Sequence, residues 1–335
     1  MTEWTKEKEK KVMWKYRFLL TVRVVRVVLL LLLIYGIYMV VLTIGYNASK
    51  IDDKHAFHIN LGIDWTQSGL HGDYASHTTN DITPFLSQKF NIPLYRTVGK
   101  EEQVIGEWNA TKRLLPFTST RDISYLRPSD NKRFGFVLPE DPRTGKKIGA
   151  SSYGDEIARE TLEKVHEGTV ADLAFSTSKY YEPKELLEKL EKYDVDILWM
   201  PVYAGEITEF EAGWSSTGDG QNMSVDTIGL TRAVKMDDDF RGYAMYMLDS
   251  QTIEENQKTM LENMKNLLED ETNYYIQHEL GIWYLEERHE YLKENGFQVY
   301  GAVVTGPVKE LLKLIEEPEF RSVQLGEFEY WNWTE

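Results

Sequence analysis

VVLLLLLIYGIYMVVLTIGY, residues Val27 to Tyr46, is a run of 20 residues without one charged side chain. At 1.5 Å rise per residue a helix of that length spans about 30 Å, the thickness of a bilayer's hydrocarbon core. Thirteen of the 20 are Val, Leu or Ile. At roughly −0.3 to −0.6 kcal/mol each, these favour insertion by about 4–8 kcal/mol. The run is longer than the apolar region of a signal peptide, and no A-x-A-like cleavage site follows it. It therefore reads as one retained span, marked along its length by Val27, Leu31, Gly36 and Tyr46. Gly36 and Gly45 are too far apart for a G-x-x-x-G helix-pairing face.

The flanks give the direction. Upstream, eight Lys and Arg (Lys6 to Arg26) stand against Glu3, Glu7 and Glu9, a balance of +5. Just downstream, Lys50 and Lys54 cancel Asp52 and Asp53. The positive-inside rule then places the N-terminus in the cytoplasm and the C-terminus outside the cell membrane. Trp14 and Tyr16 suit the inner aromatic belt and Tyr46 the outer one. The whole chain carries −16, so with +5 upstream of the span the remainder carries −21. That charge repels anionic lipid and nucleic acid alike, and no direct nucleic-acid contact is expected.

The 335 residues contain no cysteine, which excludes disulfide scaffolds, thiolate metal sites and thiol nucleophiles. The expected organisation is a basic tail (1–26), the span (27–46), an external N-terminal region (47–150) and a C-terminal α+β domain (151–335). Residues 47–150 are punctuated by Pro93, Pro116, Pro128, Pro139 and Pro142. Gly62 to Thr83 reads as loop, and Ile92–Val104 and Gly135–Leu138 as strands. Beyond 151 the pattern sharpens. A helix capped by Ser151 or Ser152 runs to about His166, and Val170–Phe175 is a strand. Pro183 opens a helix with Leu186, Leu187 and Leu190 on one face, followed by a strand with Val195, Ile197 and Trp199. Ile253, Met260, Met264 and Leu267 mark another helix, and Thr272–Glu294 reads as one more. Phe297–Val304 (strand), a helix from Pro307 and Val323–Trp331 (strand) complete a second unit. Two β-α-β units with similar helices, Pro183-Lys-Glu-Leu-Leu and Pro307-Val-Lys-Glu-Leu-Leu, predict an α+β fold: one sheet covered by helices.

Motif searches offer little chemistry. Ser176-Thr-Ser-Lys179, Ser129-Asp-Asn131 and Arg143-Thr-Gly145 match the pieces of an acylating serine site, but in the wrong order, and Ser176 is placed at a strand end rather than a helix start. His55 and His58 lie beside Asp52 and Asp53 in what reads as a solvated linker. Asp237–Asp239 reads as a solvated turn. Tyr330, Trp331 and Trp333 are expected to pack a terminal strand into the core. The N-x-S/T triplets at Asn47, Asn109, Asn222 and Asn332 read as chance matches. No catalytic residue, metal or cofactor is expected.

One stretch carries a resemblance. Asn295-Gly-Phe-Gln-Val-Tyr-Gly-Ala-Val303-Val304-Thr305-Gly306-Pro307, with Val323-x-Leu325-Gly326-Glu327 and Trp331-Asn332-Trp333, resembles the sigma-factor-regulator family. Glu167-Gly-Thr-Val170, Tyr193-Asp-Val195 and Leu198-Trp199 resemble the start of the same C-terminal domain. The span, Ile92-Pro-Leu94 and Val98-Gly99 resemble its N-terminal part. The family comprises membrane-anchored anti-sigma factors of Bacillus-type bacteria that control extracytoplasmic-function sigma factors. The resemblance implies a regulatory and sensory membrane protein, not an enzyme, with the sigma factor as partner and an unidentified extracytoplasmic ligand. In the family, several dozen residues precede the span. Here 26 do, so a sigma factor is expected to be reached through a second protein. Two alternatives remain open at this point: an enzyme of the cell envelope, and an assembly partner of another membrane protein.

Overall fold

The computed structural model describes residues 6–74, 81–113, 115–131, 133–149, 152–216, 222–238, 240 and 242–333. The chain divides into two units, Met1–Asp52 and Asp53–Glu335. The first is dominated by helix α1 (Lys6–Ser49), among the described residues the one helix long and apolar enough to cross a membrane. It runs unbroken through the basic residues and the apolar stretch. Thr43, the one aliphatic hydroxyl of that stretch, donates to the Met39 carbonyl at 2.9 Å, so its own donor is met in an apolar setting.

The second unit opens with α2 (Ile51–Thr66), where a loop from Gly62 and a solvated linker around His55 and His58 were expected. Nine consecutive residues, Phe57 to Trp65, are buried. A helix enclosed on all sides needs no apolar stripe, which is why periodicity did not reveal it. Two of its polar groups find partners beyond the helix: Asn60 Nδ2 donates to the Asp73 carbonyl at 3.1 Å, and His58 Nδ1 lies 2.9 Å from Glu271. Strands β1 (Leu70–His71) and β2 (Asp81–Ile82) pair with opposite ends of one edge of β3 (Gln88–Val98). β3 forms a long antiparallel hairpin with β4 (Glu101–Lys112), and β5 (Thr120–Tyr125) pairs with β4. Alternate residues of β3, from Phe90 to Leu94, point into the core. Gly135–Leu138, expected as a strand, joins no sheet, although the Leu138 N–H bonds the Met223 carbonyl at 2.7 Å, and it leads to a short hairpin of β6 (Glu140–Asp141) and β7 (Lys146–Lys147).

Helix α3 (Ser152–Lys164) follows; Ser151 lies outside the described residues. Then come β8 (Thr169–Tyr181), α4 (Pro183–Leu190) and β9 (Asp196–Tyr203). Ser176 is mid-strand in β8, fully buried, its Oγ accepting from the Val137 N–H at 3.0 Å; it does not end the strand as expected. The connection holds β10 (Trp214–Ser216), β11 (Met223–Val225), β12 (Ile228–Leu230), β13 (Ala233–Met236) and β14 (Tyr243–Tyr246). Of the Asp237–Asp239 run, Asp239 lies outside the described residues. Helix α5 (Ile253–Asp270) is as expected, but the single helix foreseen over Thr272–Glu294 is two, α6 (Asn273–His278) and α7 (Leu285–Asn295). Gly281, at φ +76°, takes the left-handed turn that ends α6, and Ile282 N–H closes back on the Ile276 carbonyl at 3.0 Å. The chain ends with β15 (Gln298–Pro307), α8 (Val308–Leu314) and β16 (Phe320–Tyr330).

The main sheet has the order β12-β9-β15-β8-β16, every neighbour antiparallel. β8 and β9 therefore run parallel with β15 between them, and β15 and β16 run parallel with β8 between them. These are two interleaved split β-α-β units, the ferredoxin-like arrangement, with β12 added at one edge. The α+β expectation holds. Ala171, Leu173 and Phe175 of β8 share a cluster with Leu186, Leu187 and Leu190 of α4 and Leu311 and Leu314 of α8. Ala174 joins Trp199, Val303 and Tyr300 in a second cluster with Phe136, Leu138 and Ile148. Helices thus contribute to one cluster and the 134–148 segment to the other, which buries β8 and β15 almost without alternation.

Candidate functional site

The turn between β3 and β4 is Val98-Gly99-Lys100, and the signature residues of the C-terminal region gather on it. Thr305 Oγ1 accepts from the Gly99 N–H at 2.7 Å and donates to the Ala171 carbonyl at 2.9 Å. Asn332 uses both ends of its amide: Oδ1 accepts from Lys100 N–H at 3.1 Å and Nδ2 donates to the Val98 carbonyl at 3.0 Å. Gly99 sits at φ +67°, and a Cβ there would lie 1.8 Å from Asn332 Oδ1. Only glycine fits both the backbone and the space. Trp333 Nε1 donates to Asp194 at 2.8 Å, while Lys100 Nζ stands 4.1 Å over the Trp333 ring and 2.8 Å from Asp196. At Gly306 a Cβ would lie 2.9 Å from the Asp194 carbonyl oxygen.

Thr305, Gly306, Asn332 and Trp333 are therefore brought together around one turn. Val303 and Val304 are core residues on opposite faces of β15, and Pro307 precedes α8. Trp331 is half exposed and Tyr330 90% exposed, so the expected packing of the terminal aromatics into the core is not found. β16 is an edge strand, and the chain leaves it toward Asp194 rather than back under the sheet. Val27, Leu31, Gly36 and Tyr46 lie on α1, in the other unit.

Beside this clasp is a cleft of about 480 Å³, whose lining includes Lys100, Asp196, Thr97, His71, Glu102 and Arg232. At its floor His71 lies between Arg232 (Nη2 to Nδ1, 2.7 Å) and Glu102 (Nε2 to Oε1, 3.1 Å), stacked on Tyr95. Nδ1 thus faces a donor in Arg232 and an acceptor in the Gly72 carbonyl, 3.1 Å away. Burial and the adjacent Arg232 hold the His71 pKa below its usual value. Beneath, Asp64 accepts from Gly72 N–H at 3.1 Å and Tyr74 OH at 2.8 Å; its burial raises it to about 6 against the pull of Arg232. A second buried acid, Asp172, is pushed to about 6 by desolvation, although Arg96 stands 3.8 Å away. Asp172 Oδ1 accepts from Glu327 N–H at 2.6 Å, and a Cβ on Gly326 would collide with that carboxylate. This places the Leu325-Gly326-Glu327 signature on a buried charge.

Reasoning from sequence named the clasp's Gly99, Thr305, Asn332 and Trp333, and Asp194, as signature residues, but gave no role to Lys100 or Asp196, nor to His71, Arg232, Glu102, Asp64 or Asp172. No local pattern signals such pairs, since the partners lie scores of residues apart. Among the described residues, no three His, Asp or Glu side chains gather as a metal-holding group.

Comparison with known proteins accords with this geometry. The family description "Sigma factor regulator N-terminal" matches residues 10–103, and "Sigma factor regulator C-terminal" matches residues 162–327. The probable anti-sigma-M factor YhdL of Bacillus subtilis (strain 168) is 28% identical over 181 residues, 52% of this chain and 44% of that protein. The match thus spans less than half of that relative's length. No solved structure matches the chain. Both halves of one family are matched, from the apolar helix into the clasped turn and from α3 to Glu327, and the chain belongs to the sigma-factor-regulator family, a regulatory rather than an enzymatic one.

Proposed function

We propose that this chain is a single-pass, membrane-anchored regulator of an extracytoplasmic-function sigma factor, without catalytic activity. Residues 1–26 are cytoplasmic, 27–46 span the membrane, and 47–150 and 151–335 form the extracytoplasmic part. The observation that carries the reading is the hydrogen bond from Gly99 to Thr305. It joins the two family-matched segments, one continuous with the apolar helix and the other holding the main sheet. The cleft over His71 draws its lining from the same two segments. A ligand bound there with different affinity for two arrangements of the clasp biases whatever α1 contacts on the cytoplasmic side.

Residues 6–26 continue α1 as one helix, with Trp14 stacked on Phe18 at 6.2 Å. One helical face is what they present, and a stable interface buries roughly 800 Å² per partner. We read the sigma factor as engaged together with a second protein for that reason. The test is a transcriptional reporter driven by a promoter of such a sigma factor. Removing this chain should change reporter output, and restoring it should reverse the change. Output indifferent to the chain for every such promoter of the host would sink the proposal.

A further inference from the structure

A second cleft in the same unit, of about 360 Å³, shares no lining residue with the one over His71. Its size is that of an ordinary small-molecule site, about 300–1,000 Å³. Stretches far apart in sequence build it: the end of α2, β5, the extended segment around Phe134, β9, the turn from β11 into β12, and the turn after α6. Phe136 and Trp199 supply buried apolar wall, their ring centroids 5.4 Å apart. Trp283 adds an indole that is 41% exposed, with the His278 ring edge to face at 5.0 Å. At Gly281 a Cβ would stand 2.5 Å from Arg121 Nη1, so the bare backbone there makes room for the guanidinium.

The polar groups lining this cleft have hydrogen-bonding capacity to spare. Gln67 is 2% exposed. Its Nε2 donates to Thr66 Oγ1 at 2.9 Å, and Thr66 gives its own proton to the Gly62 carbonyl at 2.6 Å. That fixes which way the amide faces and leaves Oε1 without a partner among the described residues. Buried acceptors rarely go unmet, so this one asks for a donor from whatever fills the cleft. Arg133 and the Asp226 carboxylate are exposed and form no hydrogen bond or ion pair among the described residues. Arg121 lies over Trp108 at 5.0 Å and makes one long bond, to the Glu279 carbonyl at 3.4 Å. The charges nearly cancel. Arg121 and Arg133 repel each other, the Glu279 carboxylate attracts Arg121, and Asp226 adds a second carboxylate. Glu279 is itself shared with His278 and Arg113. Such a balance selects neither an anion nor a cation. A neutral ligand with several hydroxyls, each both donor and acceptor, matches guanidinium, carboxylate and amide alike, and its C–H face suits an indole.

We propose that this cleft binds a neutral saccharide, its hydroxyls bonded to Gln67 Oε1, Asp226 and Arg133 beside the Trp283 ring. The site goes beyond the regulator reading and does not depend on it, since every residue it uses belongs to the second unit. Saturation-transfer NMR tests it on the full-length protein in phosphatidylcholine nanodiscs, which carry no sugar headgroup. The probes are maltose, cellobiose and N,N′-diacetylchitobiose, with glucuronic acid and glucosamine as charged counterparts. At least one of the neutral disaccharides should receive saturation from the protein, and should lose it with Trp283→Ala and with Asp226→Ala. Both are exposed side chains, and a circular-dichroism melt checks that each variant folds. Trp331→Ala, at a half-exposed indole outside the cleft, should leave the signal as it is. No transfer to any neutral sugar, or transfer to the charged sugars alone, would overturn the proposal. So would a signal that survives in either cleft variant, or one that disappears with Trp331→Ala, because the contact would then lie elsewhere.

Discussion

Single side chains in this protein are tuned by their partners, and two of them give measurable consequences. Thr305 is the sole partner shown for the Gly99 N–H, which is buried against Val170 and Asn332. Thr305→Val keeps the shape of the side chain and leaves that donor unmet, at a cost of about 1–3 kcal/mol. Urea unfolding of the full chain in detergent, followed by tryptophan fluorescence, should show the loss; an unchanged midpoint would mean the clasp contributes nothing. His55 behaves differently. Burial, and then Lys112, depress its pKa from 6.5 to about 4. A depressed folded pKa means its contribution is present above pH 6.5 and lost as pH falls from 6.5 through 4. His55→Gln should reduce the acid loss over that window by up to about 3 kcal/mol. Asp64 and Asp172, raised to about 6, act oppositely, favouring the fold as pH falls through 6 toward 4. The comparison with the variant cancels them. Identical pH profiles for the two proteins would show that His55 titrates normally.

Elements with an amphipathic stripe were legible: α4, α5 and α8 carry leucines or methionines at helical spacing, and each was foreseen within a few residues. α2 was not, because it is enclosed: His58 reaches Glu271 far along the chain, while Asn60 and Asp64 bond the nearer Asp73, Gly72 and Tyr74. The break between α6 and α7 had a visible signal, Gly281, overridden by the helical spacing on either side. α7 is tied to the connection after β9 by a buried ion pair. Arg288 reaches Glu206 with Nη1, the Asp226 carbonyl with Nη2 at 2.6 Å and the Trp283 carbonyl with Nε at 2.9 Å. Removing one member of such a pair strands a charge, so Arg288→Ala should destabilise by about 3–5 kcal/mol. Glu206→Ala added to it should cost much less than Glu206→Ala alone, because no lone charge then remains. Strictly additive losses would show that the two residues act independently.

For the whole molecule, direction in the membrane is the first question. With the basic flank inside, a cytoplasm-only reporter fused after Glu335 should be silent and one active only outside should report; the opposite pattern reverses the topology. The sequence by itself determined the apolar helix, the α+β class and the family, because hydrophobic spacing, charge excess and short signatures are local and survive without a structure. It also named the residues of the clasp, Gly99, Thr305 and Asn332, without telling that they touch. Only the tertiary structure decided that the two β-α-β units interleave into one antiparallel sheet, since strand order depends on which hydrogen-bonding edges meet. The same holds for α2 in the core and for the cleft floored by His71, Arg232 and Glu102. A buried polar group is stable only beside its partner, and that pairing is made across more than 200 residues between Gly99 and Thr305.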